Sequence, residues 1–210
     1  MPIFTRGERA VLFVHVPKTG GTTIERMMVR AGWAMAMRST PTADPTFFRF
    51  HRISPQHYHA DLLRRLLRLG RFEAVFMLVR DPVARFRSEY AMRVKEPRLG
   101  GAEAVGSWLD RKLEEYAANP AVHDNHLRPQ HDFLLPQAHV LRLEDGMERI
   151  VADLNDRLDL GLASDGPIPR HMSSGAAGRL ASGDVEVDDA VRARLRQFYA
   201  RDFTAFGYDS

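Results

Sequence analysis

The stretch "VLFVHVPKTGGTTIERMM", residues 11–28, decides how the rest of the chain is read. Val11 to Val16 is short and rich in β-branched residues, which suits an interior strand. Thr23 to Arg30 reads as a helix, with Ile24, Met27 and Met28 on one apolar face. Between them, Pro17 to Thr22 form a tight turn with one lysine, two glycines and hydroxyls at Thr19 and Thr22. Strand, glycine-bearing turn and helix together make an anion site in α/β proteins. The first helical N–H groups are unpaired, the helix end is partly positive, and glycine lets a ligand approach the backbone. An ordinary βα turn with a solvated lysine has the same sequence, so the turn alone leaves both readings open.

Outward from this turn, strands and helices alternate. Ser54-Pro55 reads as an N-cap with proline at the first helical position, opening a helix to about Leu69. "EAVFMLVR" (73–80) is a second buried strand, and Asp81-Pro82 opens a helix towards Val94. Another helix starts near Glu103 and ends before Asn119-Pro120. "AHVLRLED" (138–145) supplies a third strand and "GMERIVADLNDRLDL" (146–160) an amphipathic helix. Residues 161–187, rich in Gly, Ser, Ala and Pro, read as a loop, and a final helix spans about 188–206. This alternation predicts one α/β domain over residues 1–210, with a central, mainly parallel sheet flanked by helices.

Bulk properties narrow the partners. The chain has 210 residues, 44% hydrophobic, enough for one cored domain. Its length holds no run of about eighteen apolar residues, so no stable membrane insertion is expected. The N-terminal residues lack the apolar segment of a secretory signal. The absence of cysteine excludes disulfides and thiolate metal sites and fits a reducing cytoplasm. A net charge of +3 favours anionic ligands but is too weak to imply nucleic acid.

The nucleoside-triphosphate pattern G-x-x-x-x-G-K-[ST] places its lysine after the glycines, whereas Lys18 precedes Gly20 and Gly21. No G-x-G-x-x-G fingerprint is present either. The second strand ends at Arg80, where open α/β sheets bind ligands, and Ser88 lies two turns into the next helix. Arginine offers a forked, permanent cation for a phosphate. A structural ion pair with Asp81 is the alternative role for Arg80. Arg85 and Arg87 read as solvated helix-surface residues, although Arg85 can also face a ligand. Two anion-binding elements at adjacent strand ends suit a ligand with two separated phosphate-like groups.

"HVPKTGGTTIE" (15–25) followed by "VRDPVARFRSEY" (79–90) resembles the two cofactor motifs of sulfotransferases that use 3′-phosphoadenosine 5′-phosphosulfate (PAPS). The form is most similar to the carbohydrate, uronyl 2-O-sulfotransferase type. "DNHLRPQHDFL", "HVLRLEDG" and "LRQFYARDFTAFGY" extend the resemblance over most of the chain. The resemblance implies a P-loop-like architecture. Lys18, Thr19, Gly20, Gly21, Thr22 and Thr23 would hold the 5′-phosphosulfate, and Arg80 and Ser88 the 3′-phosphate. The product would be 3′-phosphoadenosine 5′-phosphate (PAP), and the scheme needs no metal. Asn125, His126, Arg128 and Gln130 would lie near the acceptor or cofactor, and Arg170 and Ser173 would belong to a segment closing over the cofactor. Met172 and Ser173 stand where the family carries an asparagine. Related Golgi enzymes carry a membrane anchor, and its absence here points to a bacterial member.

The same resemblance asks for a base between the two motifs. Among the histidines of "FFRFHRISPQHYH" (47–59), His51 is favoured because it precedes the helix in an irregular segment. His57 and His59 read as surface or cap residues, and Glu25 as lying too far along the first helix. His123, His126 and His131 invite a metal reading, but no zinc motif accompanies them. The expected acceptor is a hydroxyl on a saccharide, a glycolipid head or another small molecule. A small-molecule kinase and a non-catalytic module for sulfated or phosphorylated sugars are the competing functions.

Overall fold

In the computed structural model of the chain, residues 1–38, 46, 50–94, 104–163 and 180–208 are described. Five strands, β1 (Ile3–Arg6), β2 (Arg9–Val14), β3 (Ala34–Ala36), β4 (Ala74–Val79) and β5 (His139–Arg142), form one sheet in the order β3-β1-β2-β4-β5. β2, β4 and β5 are the three strands expected from the sequence, and they pair in parallel, Phe13 opposite Phe76 and Met77 opposite Val140. The two additional strands pair antiparallel, which makes the sheet mixed. β1 folds back on β2 through Gly7-Glu8, with Arg6 opposite Arg9. Gly7 has a φ of 61° and meets the need of this two-residue hairpin for glycine at its first central position. β3 is only three residues long and carried no sequence signal of its own.

Both faces of the central strands are apolar, as expected of strands covered by helices on each side. The helices with described bounds are α1 (Gly21–Arg30), α2 (Ala60–Leu66), α3 (Pro82–Arg93), α4 (Val105–Ala118), α5 (Met147–Leu158), α6 (Asp189–Phe198) and α7 (Ala200–Phe206). Phe13, Phe76 and Leu78 pack with Ile24 and Met28 of α1 and with Ile150 and Leu154 of α5. Leu12, Val14, Met77 and Val79 face the other way, onto Phe86 and Tyr90 of α3, Trp108 of α4 and Leu195 of α6. No helix among the described residues is long and apolar enough to cross a membrane.

Two predicted helices are corrected. Ser54-Pro55 opens only a 3-10 turn, Pro55–His57, and the α-helix begins at Ala60. The Ser54 side chain caps nothing. Instead its N–H and hydroxyl both donate to Asp124, at 2.5 and 2.8 Å, and Tyr58 is extended (ψ 130°). The final helix breaks at Tyr199 into α6 and α7, where the buried Tyr199 hydroxyl donates to the Leu127 carbonyl at 2.9 Å. In both places a distant partner outweighs local helix propensity.

The stacked pair Phe13 and Phe76, ring centroids 4.9 Å apart, lies fully buried at the sheet centre. Phe76→Ala is expected to cost about 3–5 kcal/mol in urea unfolding, with the far-UV signal of the folded state retained.

Candidate functional site

The turn between β2 and α1 is open towards solvent on its polar side. Gly20 caps α1 in the left-handed region (φ 85°), no side chain caps the helix, and no acidic residue lies in its first turn. The Thr23 N–H donates back to the Gly20 carbonyl at 3.0 Å, which leaves the amides of Gly21 and Thr22 for an acceptor from outside the helix. A Cβ on Gly21 would stand 2.5 Å from His15 Nε2, so only glycine lets the His15 ring lie against the turn. Lys18 itself is left-handed (φ 71°), a conformation that costs a lysine on the order of 1–3 kcal/mol. Its Nζ lies 3.2 Å from Met92 Sδ. Burial pushes the Lys18 ammonium below its ordinary pKa, Glu89 opposes this, and Arg93, Arg80 and Arg85 add to it. Thr19 points inward, its hydroxyl donating to the Val16 carbonyl at 2.8 Å.

Arg80, at the end of β4, has its backbone held from both sides. Its N–H donates to Gln130 Oε1 at 2.9 Å, and Gln130 Nε2 donates to its carbonyl at 2.7 Å. The guanidinium donates to the Lys18 carbonyl at 3.4 Å. Asp81 is engaged elsewhere, its carboxylate accepting the Ala84 N–H at 2.7 Å to cap α3. Arg85 corrects the sequence reading: it is buried, not solvated. Nε donates to the Pro17 carbonyl at 3.0 Å, and Nη2 donates to the carbonyls of His126 and Arg128 at 2.7 and 3.0 Å. Arg87 is partly buried.

Three histidines face the turn, each seated on its own carboxylate. His15 Nδ1 lies 2.5 Å from Glu25, His57 Nδ1 lies 2.7 Å from Asp124, and His126 Nδ1 lies 2.7 Å from Glu89. The His57 ring meets the other two edge-on, with centroids 5.3 Å from His15 and 5.0 Å from His126. Because a carboxylate accepts, Nδ1 of His57 carries the proton and Nε2 keeps its lone pair. Burial lowers the His57 pKa to about 3 against the Asp124 hydrogen bond that raises it, with His126 and His15 adding to the fall. For Asp124, burial acts upward but the His57 and Ser54 hydrogen bonds prevail and hold the carboxyl below its usual range. Glu89 is buried, yet the charge and hydrogen bond of His126, with Arg93, hold it far below the usual range.

Asp124 is aimed by an unusual backbone. His123, Asp124 and Asn125 have successive φ values of 52°, 59° and 64°. Asp and Asn tolerate this left-handed region better than most residues. Asn125 Nδ2 donates to the His57 carbonyl at 2.8 Å, and Arg128 Nε donates to Asn125 Oδ1 at 3.0 Å.

One cavity of about 330 Å³ joins these groups. Of the residues expected from sequence, Lys18, Gly20, Gly21, Thr22, Thr23, Arg80, Ser88 and His126 line it. Thr19, Asn125 and Gln130 lie behind it as supports, and Arg128 turns into a neighbouring cavity. His51 is exposed and does not line it. Arg170 and Ser173 lie outside the described residues. His15, Gln56 and His57 line it without having been selected from the sequence. His15 sat inside the first motif, at a strand end beside Pro-Lys, and that position was the available signal. His57 carried none, because the Ser-Pro pair disguised its turn as a helix. The histidines of the metal reading go to separate carboxylates: His123 to Glu115, His126 to Glu89, His131 to Asp132 and Asp202.

A buried imidazole with a depressed pKa binds its proton more readily in the unfolded chain. Folding stability is thus present above the ordinary value of 6.5 and falls as pH drops from there towards 3. Between pH 6.5 and about 5.5 the carboxylates hardly titrate, so the slope belongs to histidines, His57 foremost. His57→Gln is expected to flatten the urea-midpoint profile in that window, and an unchanged slope counts against a neutral, buried His57.

Comparison with known proteins gives one positive finding. A family model described as "Sulfotransferase family" matches residues 1–209. Among curated proteins and among solved structures, nothing matches.

Proposed function

We propose that this chain, which belongs to the sulfotransferase family, moves a sulfuryl group from PAPS to a hydroxyl of a carbohydrate acceptor. The observation that carries the reading is a single cavity with an uncapped glycine turn and Lys18 beside carboxylate-oriented imidazoles. A 5′-phosphosulfate suits the turn: the amides of Gly21 and Thr22, the hydroxyls of Thr22 and Thr23 and the Lys18 ammonium are all donors. Arg80 and Ser88 suit the 3′-phosphate, with Gln130 fixing the Arg80 backbone.

In this scheme the acceptor oxygen attacks sulfur in line, and the bond from sulfur to the bridging phosphate oxygen breaks. Lys18 neutralises the charge that develops on that oxygen as PAP departs. The hydroxyl proton passes to Nε2 of His57, whose Nδ1–H stays on Asp124. The imidazolium so formed is stabilised by Asp124, and the negative charge of a bound donor raises the His57 pKa towards the working range. His57 replaces His51 as the proposed base because it lines the cavity and is oriented by a carboxylate. Asn125 and Arg128 act as positioning residues through the His57 carbonyl. The cysteine-free composition suits a reducing cytoplasm.

Thermal unfolding with PAP, against ADP and ATP, tests the donor. At one hundred times its dissociation constant, PAP should stabilise by about 2.7 kcal/mol. That corresponds to a rise of several degrees in a chain of this size, at roughly 2–4 °C per kcal/mol. An equal rise with ATP would move the reading to a kinase. His57→Ala should lower transfer to a saccharide panel by about 10²–10⁴-fold while keeping the PAP shift. His51→Ala should leave transfer unchanged, and the opposite pattern would return the base to His51.

A further inference from the structure

Two short segments are shared by two cavities. In the first, Gln56 and His57 face the donor turn, whereas His59 and Asp61 line a second cavity of about 480 Å³. In the second segment, His126 faces the donor turn, whereas Arg128 and Asp132 line the second cavity. Two residues of chain span at most about 7 Å. The step from His57 to His59, like that from His126 to Arg128, therefore brings the two linings side by side.

The second cavity has its own chemistry. Arg64 of α2, Arg128 of the loop and Arg201 of α7 converge on it from three parts of the chain. Asp61 pairs with Arg64 at 3.3 Å and Asp132 with Arg128 at 3.0 Å. Arg201 is exposed and has no ion-pair or hydrogen-bond partner among the described residues. Three guanidiniums against two carboxylates leave a surplus of one positive charge, at Arg201. His59, also in the lining, has a buried Nδ1 without a hydrogen-bond partner. The volume falls within the usual 300–1,000 Å³ of small-ligand sites, but the walls are polar rather than apolar. Closely spaced donors and acceptors suit a polyhydroxylated ligand, and one unpaired guanidinium suits a single acid group on it.

We propose that this second cavity is an acceptor subsite for an acidic sugar unit, with its carboxylate or sulfate on Arg201. The sugar carrying the reacting hydroxyl then lies next door, at His57. Arg128 lines the subsite and reaches His57 through Asn125, so a ligand there bears on the wall that holds the proposed base. The use of the subsite in transfer rests on the sulfotransferase reading. Its affinity for an acidic saccharide does not.

Calorimetric titration of the full chain without nucleotide separates the two. The probes are a uronate-containing tetrasaccharide, its carboxyl-reduced counterpart and a neutral tetrasaccharide carrying one O-sulfate. The uronate or the sulfated probe should bind at least tenfold more tightly than the carboxyl-reduced one, and whichever does so identifies the acid group. A charge-assisted contact is worth enough that Arg201→Ala should weaken that probe about tenfold or more. The variant should keep its unfolding temperature and its response to PAP. Equal affinity for acidic and neutral probes, no binding of any, or indifference to Arg201→Ala overturns the subsite. Arg201-dependent binding without any PAP response leaves the subsite standing and removes the donor reading.

Discussion

The buried guanidinium of Arg85 is the constraint on which the site depends. Taking a cation out of water costs several kcal/mol unless its hydrogen bonds are replaced. Here three carbonyls, of Pro17, His126 and Arg128, replace those of Nε and Nη2; Nη1 is buried without a hydrogen-bond partner among the described residues, and the Tyr199 ring lies 5.7 Å from the guanidinium carbon. The contacts that solvate Arg85 therefore also join helix α3 to the turn between β2 and α1 and to the loop carrying His126 and Arg128. Neither segment has enough regular structure to hold itself in place. Both are fixed because moving either would strand a buried charge.

Around this anchor, charge is arranged by pairing rather than by exposure. Glu25, Asp124 and Glu89 each seat one histidine at Nδ1 and so leave each Nε2 for the cavity or its rim. The carboxylates are kept ionised against burial by the groups they orient. Lys18 and Arg80 are left with few partners, and burial lowers both of their pKa values. A cavity of this kind gains most from a polyanion, which supplies the missing countercharge and makes the ammonium and guanidinium easier to keep protonated. The left-handed backbone at Lys18 and at His123 to Asn125 fits the same account. Strain at these positions aims Lys18 at the turn and Asp124 at His57, and the surrounding hydrogen bonds maintain it.

Gly21 shows how one residue meets two demands. Its amide belongs to the uncapped helix start, and its missing side chain makes room for His15, ten residues before Glu25. A side chain at this position would push the ring away from its carboxylate and fill the mouth of the turn together. The uncapped helix start and the packing of His15 thus select the same residue.

The sequence by itself determined the parallel core of the sheet, the glycine-bearing turn between β2 and α1 and the placing of Lys18, Arg80 and Ser88 at one end of the strands. These follow from local rules: β-branched runs, glycine at a turn, and helix starts that expose amides. It could not determine the fate of Ser54 to His59, because the propensity for a helix N-terminus there is outweighed by Asp124, seventy residues from Ser54. Nor did it reveal that Asn125 and Gln130 support other residues instead of lining the cavity, or that Arg85 is buried. Such roles depend on which partner a polar group finds across the fold, and no spacing along the chain encodes that. Only the tertiary structure brought His57 onto Asp124 and into the cavity, since burial made the long-range hydrogen bond worth more than the local helix it displaced.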